Sequence, residues 1–153
     1  MRKKRPAASS FTRFERIFLM SVTATENENI ALVRRGYEAF KAGDMATLSE
    51  LFEPDIAWSG PEMGVLKGTY NGRDAVLASF GQIFQETGGT FKSEPQAVAA
   101  SGDLVFVQST TAGQRQGRSL QTEDVLLFTV RNGKVKEIRH YVREHAKANE
   151  FWK

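Results

Sequence analysis

Asp124 and His140 are the two residues whose types and placement could move protons in this sequence. Asp124 lies in residues 120–130, where Leu120, Thr122, Asp124, Leu126, Phe128 and Val130 alternate onto one face of an expected strand. A carboxylate among large apolar neighbours is costly to bury unless it is paired or protonated, so Asp124 is either a pocket acid or a wetted residue at a sheet rim. His140 shares its face with Ile138 and Val142, and reads either as a satisfied core histidine or as a catalyst. Asn132-Gly133 between the two segments marks a hairpin turn. A three-residue loop over 131–133, with glycine in a left-handed bulge, pairs Val130 with Lys134 and sets Asp124 directly opposite His140. A two-residue loop instead pairs Asp124 with Tyr141 and turns His140 to the other face. The apolar pattern favours the first register, because Ile138 and Val142 then join His140 against Leu126 and Phe128. An aspartate–histidine pair in a water-poor pocket is equipment for general acid–base chemistry.

Other chemistries are narrowed by what the sequence lacks. There is no cysteine, which removes disulfides, thiolate nucleophiles and cysteine zinc sites. His145, beside Arg143, Glu144 and Lys147, reads as a solvated surface group, so no histidine-rich metal site is expected and the expected metal and cofactor content is none. Tyr37 belongs to an apolar helix stripe and is either core with a satisfied hydroxyl or a pocket donor. Trp58 either lines the pocket or plugs the narrow end of the fold. Glu123 points to the face opposite Asp124, toward solvent or a dimer contact. Gly88-Gly89-Thr90-Phe91 lacks the pattern of a phosphate loop and reads as a helix stop.

The elements that must position these residues follow from periodicity. Thr25 and Glu28 have capping-box spacing, and Ile30, Val33, Tyr37 and Phe40 then form one helical stripe closed by Gly43. Asp44 caps a short second helix carrying Leu48, Leu51 and Phe52, which Pro54 stops. Residues 55–59 read as a short strand and residues 60–72, with four glycines and Pro61, as a loop. A third helix carries Val76, Leu77, Phe80, Ile83 and Phe84 on one face. Residues 90–99, 104–113, 118–131 and 134–142 are β-like, separated by good hairpin signals. The expected order is therefore α-α-β-α-β-β-β-β, an α+β class rather than alternating βαβ. Helices lying across a long, curved, mostly antiparallel sheet cannot fill its concave side, and one pocket is expected at the wide end of the cone.

The net charge of +3 is unevenly placed. Arg2, Lys3, Lys4, Arg5, Arg13 and Arg16 against Glu15 give residues 1–19 a local excess of +5, which leaves about −2 for the remainder. A basic tail without a basic folded face argues against nucleic-acid binding. Residues 1–24 are expected to be a basic flexible extension, with Met20 as an alternative start, and residues 25–153 the domain. The apolar run 17–20 is too short for a signal peptide and no segment approaches a membrane span, so the expected location is cytoplasmic.

Further runs carry a resemblance. Tyr37-Glu38-Ala39-Phe40-Lys41-Ala42-Gly43-Asp44 and Leu51-Phe52-Glu53-Pro54-Asp55-Ile56-Ala57-Trp58 resemble the opening of SnoaL-like domains. Gly68-Thr69-Tyr70-Asn71-Gly72-Arg73-Asp74-Ala75-Val76, Gly88-Gly89-Thr90-Phe91, Arg131-Asn132-Gly133-Lys134-Val135 and Glu150-Phe151-Trp152 continue it over residues 27–152. These domains belong to the nuclear transport factor two-like superfamily, with ketosteroid isomerase, limonene epoxide hydrolase and polyketide cyclases as enzymatic relatives. The isomerase's oxyanion tyrosine falls at Gly36, one step from Tyr37, and its general base at Gly60, so that mechanism is not expected here. Its second acid matches Asp124. The epoxide hydrolase's arginine position holds Thr122, its first aspartate again matches Asp124, and its second matches His140.

The resemblance implies a cofactor-independent acid–base enzyme of isomerase, cyclase or hydratase type, acting on a polyketide-, terpene- or steroid-like molecule. Asp124 and His140 would be catalytic, with Tyr37, Trp58, Phe80, Phe84, Leu126, Phe128, Ile138 and Val142 lining the pocket. A non-catalytic binder and a dimeric scaffold are the rival readings of the same fold. The expected partners are a small apolar molecule and a second copy of the chain, paired through the sheet's outer face where Val125 and Leu127 lie, with no nucleic acid and no membrane.

Overall fold

The computed structural model describes residues 22–153. The extension expected over 1–24 falls mostly outside them. Helix α1 (Ala24–Ala42) begins two residues earlier than expected. The Thr23 side chain accepts from the Glu26 backbone N–H, and Glu26 reaches back to the Thr23 N–H, so the capping box is Thr23/Glu26 rather than Thr25/Glu28. Gly43 ends α1 in the left-handed region at φ 68°, and Asp44 caps α2 (Met45–Leu51).

Strand β1 (Phe52–Met63) starts directly after α2 and runs through Pro54, Gly60 and Pro61. The expected loop over 60–72 is instead the end of β1 and a hairpin partner, β2 (Leu66–Asn71). The β1–β2 register shifts between Ser59 and Glu62, which accommodates Pro61 at a bulge. Helix α3 (Arg73–Glu86) follows, then β3 (Lys92–Ser101), β4 (Leu104–Arg115), β5 (Arg118–Arg131) and β6 (Lys134–Val142). After β6 comes α4 (His145–Trp152), a helix not expected from the sequence. The sheet order is β2-β1-β6-β5-β4-β3, antiparallel throughout except for the parallel β1–β6 pair.

The architecture is thus α+β, a curved six-stranded sheet whose concave face is packed by the helices. Val33 and Tyr37 of α1, Leu48 and Leu51 of α2, and Val76, Phe80 and Ile83 of α3 meet Val105, Val107, Phe128, Val130 and Ile138 of the sheet. Phe151 and Trp152 bring α4 into the same core. Gly64 allows that docking: at φ +50°, an added β-carbon would lie 1.8 Å from the Trp152 carbonyl oxygen. The same carbonyl accepts from the Val65 N–H at 3.1 Å. Among the described residues no helix is long and apolar enough to cross a membrane.

Candidate active site

The β5–β6 hairpin decides where Asp124 and His140 stand. Asn132 and Gly133 both have positive φ, 50° and 72°, and Arg131 pairs with Lys134. The turn therefore has two residues, not the expected three, because both central residues take the conformation that matches strand twist. That turn alone would have sent His140 to the outer face. A bulge corrects it: Val130 pairs with Val135 but Thr129 with Glu137, leaving Lys136 as the extra residue. Beyond the bulge Asp124 pairs with Val142 and Leu126 with His140. Asp124 is therefore diagonal to His140, not directly opposite, yet both point to the concave face.

The diagonal is close enough for contact. His140 Nε2 lies 3.0 Å from Asp124 Oδ2. Thr111 Oγ1, on β4, donates to the same oxygen at 2.7 Å. Asp124 is only 2% exposed, and the His140 side chain 15%. Asp124 Oδ1 is buried without a hydrogen-bond partner. The Asp124 carboxylate thus accepts from the imidazole N–H and the threonine hydroxyl, which fixes the ring tautomer. No hydrogen bond engages His140 Nδ1 among the described residues, so its lone pair is the free basic position.

His140 borders a cavity of about 90 Å³. Its walls include Tyr37, Trp58, Phe80, Leu126, Phe128 and Ile138, all expected there. Phe84 is not among them: it sits behind Phe40, ring centroids 4.9 Å apart, one position too far around α3. Val142 and Asp124 line a smaller neighbouring space of about 30 Å³, which shares Trp58, Ile83, Phe91, Thr111 and His140 with the first. The two spaces adjoin, and His140 stands on the wall of both. Trp58 lines both while stacking on Tyr70 at 5.2 Å, so it is a wall and not a plug. An added β-carbon at Gly60 would lie 3.1 Å from the Trp58 ring, so a side chain there would press on the indole.

Tyr37 reaches the cavity from α1, its hydroxyl 2.9 Å from Ser109 Oγ. Burial pushes its phenol up to about 12, against weaker opposing hydrogen bonds from Ser109 and Ser93. It is a neutral hydrogen-bonding group at any ordinary pH. Glu123 points outward and pairs with Arg143, and His145 is exposed at the start of α4. Thr111, Ser109 and Ser93 were not expected at the site from the sequence. Ser109 and Thr111 continue the inward face of Val105 and Val107, and a polar pair on an otherwise apolar face was the available signal. Phe91 and the α4 residues Ala148 and Trp152 were also missed as walls.

The family model described as SnoaL-like domain matches residues 33–138. The structure of Bal32a, from a soil-derived mobile gene cassette, is similar with 36% identity and a TM-score of 0.81 over 84% of this chain and 98% of that one. An uncharacterized protein of Mycobacterium tuberculosis is 29% identical over 130 residues, 84% of this chain and 98% of its own length. TerC, co-crystallized with polyporic acid, shares the fold at 23% identity and a TM-score of 0.72, over 82% of this chain and 98% of its own.

Proposed function

The chain belongs to the SnoaL-like domain family, and from that premise we propose that it is a cofactor-independent acid–base enzyme acting on a small apolar substrate. The observation that carries this reading is the 3.0 Å contact between His140 and Asp124 at the wall of an apolar cavity. A neutral His140 donates Nε2–H to Asp124 and offers Nδ1 as a base. When Nδ1 takes a proton from substrate carbon, the adjacent carboxylate stabilises the imidazolium, which then returns the proton at another position. Asp124 lines only the smaller space and acts through His140 as its charge partner and positioning group. Thr111 holds that carboxylate in place. Isomerisation, cyclisation and hydration all use such a transfer, and the aromatic and aliphatic walls suit an apolar substrate. TerC's co-crystallization with polyporic acid supports an organic ligand in a fold of this kind.

Proton transfer can be tested before the natural substrate is known. The wild-type protein in deuterated water should exchange acidic C–H positions of cyclohex-2-enone, followed by NMR, and His140→Asn should lose about a hundredfold of that rate. Exchange that is unchanged in a folded His140→Asn protein rejects the enzymatic reading and leaves a binding protein.

The homodimer is part of the same reading. Phe106, Val125 and Tyr141 are exposed together on the outer face of β4, β5 and β6, where Val125 pairs with Tyr141. Leu127, expected to be exposed beside Val125, is already 9% exposed within one copy and adds little to that surface.

A further inference from the structure

Gly36 stands inside α1 without a backbone reason for being glycine. It is not among the positive-φ residues, so any L-residue could take its helical conformation. Glycine in a helix interior is less stable than alanine, because it loses more backbone freedom on folding. Packing does not require it either. Outside its own helix backbone, an added β-carbon would meet one atom within 4 Å, Leu51 Cδ1 at 3.9 Å, which is an ordinary contact. Gly81 of α3 has open space around it too, but it is exposed. Gly36 lines the cavity. What the missing side chain leaves there is room for a ligand.

The cavity is long and differs in polarity between its ends. On β6 its wall runs from Val135 through Ile138 to His140. Those five steps, less one taken up by the bulge, span about 13 Å at the rise of a strand. At the His140 end stand Thr111, whose hydroxyl shares an Asp124 oxygen with the imidazole, and Ser93, which pairs with Thr111 across β3 and β4. At the other end Val135 pairs with Phe52, which directly follows Leu51. Gly36 lies toward that second end, because Leu51 is its neighbour. Leu32, Leu48, Leu51, Phe52 and Val135 make that part of the wall, and none of them carries a polar side-chain atom.

We propose that Gly36 is a specificity-determining residue: the space over its backbone, between α1 and α2, takes a flexible aliphatic arm of the substrate whose polar, reacting end lies at His140. The substrate class is therefore an extended chain with a polar head. This deepens the acid–base reading and rests on it only for which end reacts.

The test is NMR titration of the full chain with three linear ketones, butan-2-one, hexan-2-one and nonan-2-one. Wild-type affinity should rise along the series, by up to about fourfold for each methylene that enters the space. Gly36→Leu fills that space from α1, so it should leave butan-2-one within about twofold and weaken nonan-2-one at least about tenfold, the worth of two or more methylenes. Gly36→Ala should raise the urea midpoint while weakening nonan-2-one in the same direction, which separates lost binding from lost folding. Affinity that does not rise with chain length, or no binding by any of the three, overturns the aliphatic arm. A Gly36→Leu protein that binds nonan-2-one as wild type does, or that loses all three ketones equally, overturns the role of Gly36. A lower urea midpoint in Gly36→Ala would show that the fold itself needs the glycine, and overturns it as well. His140→Asn should keep the dependence on chain length, so its loss of proton exchange tests the acid–base reading separately.

Discussion

At the residue scale, the site rests on a few polar groups held among apolar ones. Thr111 is the clearest positioning residue, because its hydroxyl and the His140 ring share one Asp124 oxygen. Thr111→Val, nearly isosteric, should leave the fold intact and lower proton exchange by about tenfold, an effect that should concentrate in kcat rather than KM. An equal fall in stability and activity would mark Thr111 as merely structural. Tyr37 gives a pH prediction of known sign. Its phenol is raised above its ordinary 10.0 to about 12 in the folded protein, so its contribution is present below pH 10 and is lost as pH rises through about 12. Near-ultraviolet absorbance should show one of the three tyrosines ionising late, and Tyr37→Phe should abolish that late phase. The identities of Asp124 and His140 were legible in the sequence because a charged and a titratable residue interrupt apolar alternation. Thr111 was not, since a threonine on a strand is ordinary until its partner is known.

At the element scale, the sequence showed where the last four strands begin and end better than how they pair, while β1 runs longer than expected and β2 was expected to be loop. Asn132-Gly133 announced the last hairpin, and the alternation in β5 announced its inward face. Nothing in Val135-Lys136-Glu137 announces a bulge, and that one extra residue determines that His140 faces inward. Helix α4 escaped notice because it is short, although Ala148, Phe151 and Trp152 have helical spacing. Its docking depends on Gly64, so Gly64→Ala should cost about 2 kcal/mol, read as a lower denaturant midpoint. No change would mean that α4 is not held by the β1–β2 turn. The start of α1 is tied differently. Glu26 accepts from the Thr23 and Gly102 backbone N–H groups, which hold its carboxyl below the usual glutamate range. A depressed value stabilises the fold above the ordinary 4.5 and loses that contribution as pH falls through the folded value. Wild type should therefore lose more stability than Glu26→Gln between neutral pH and pH values below 4.5, measured by urea midpoints.

At the scale of the whole molecule, the two faces of the sheet divide the work. The concave face is closed by four helices into a core and two small spaces, while the outer face leaves Phe106, Val125 and Tyr141 uncovered. A second copy is expected there, so light scattering at micromolar concentration should report twice 17.1 kDa. Tyr141→Lys should shift it to a monomer with its melting temperature little changed. A wild-type monomer would remove the dimer. The fold class was readable from the order of helices and strands, but the shape of the pocket was not, because it depends on how far side chains from all ten elements reach. The most direct measurement of the central claim is the nitrogen-15 NMR spectrum of the His140 ring at neutral pH in histidine-labelled protein. In that spectrum Nε2 should carry a proton coupled to the Asp124 carboxylate. A ring protonated on Nδ1 alone, with Nε2 bare, would contradict it.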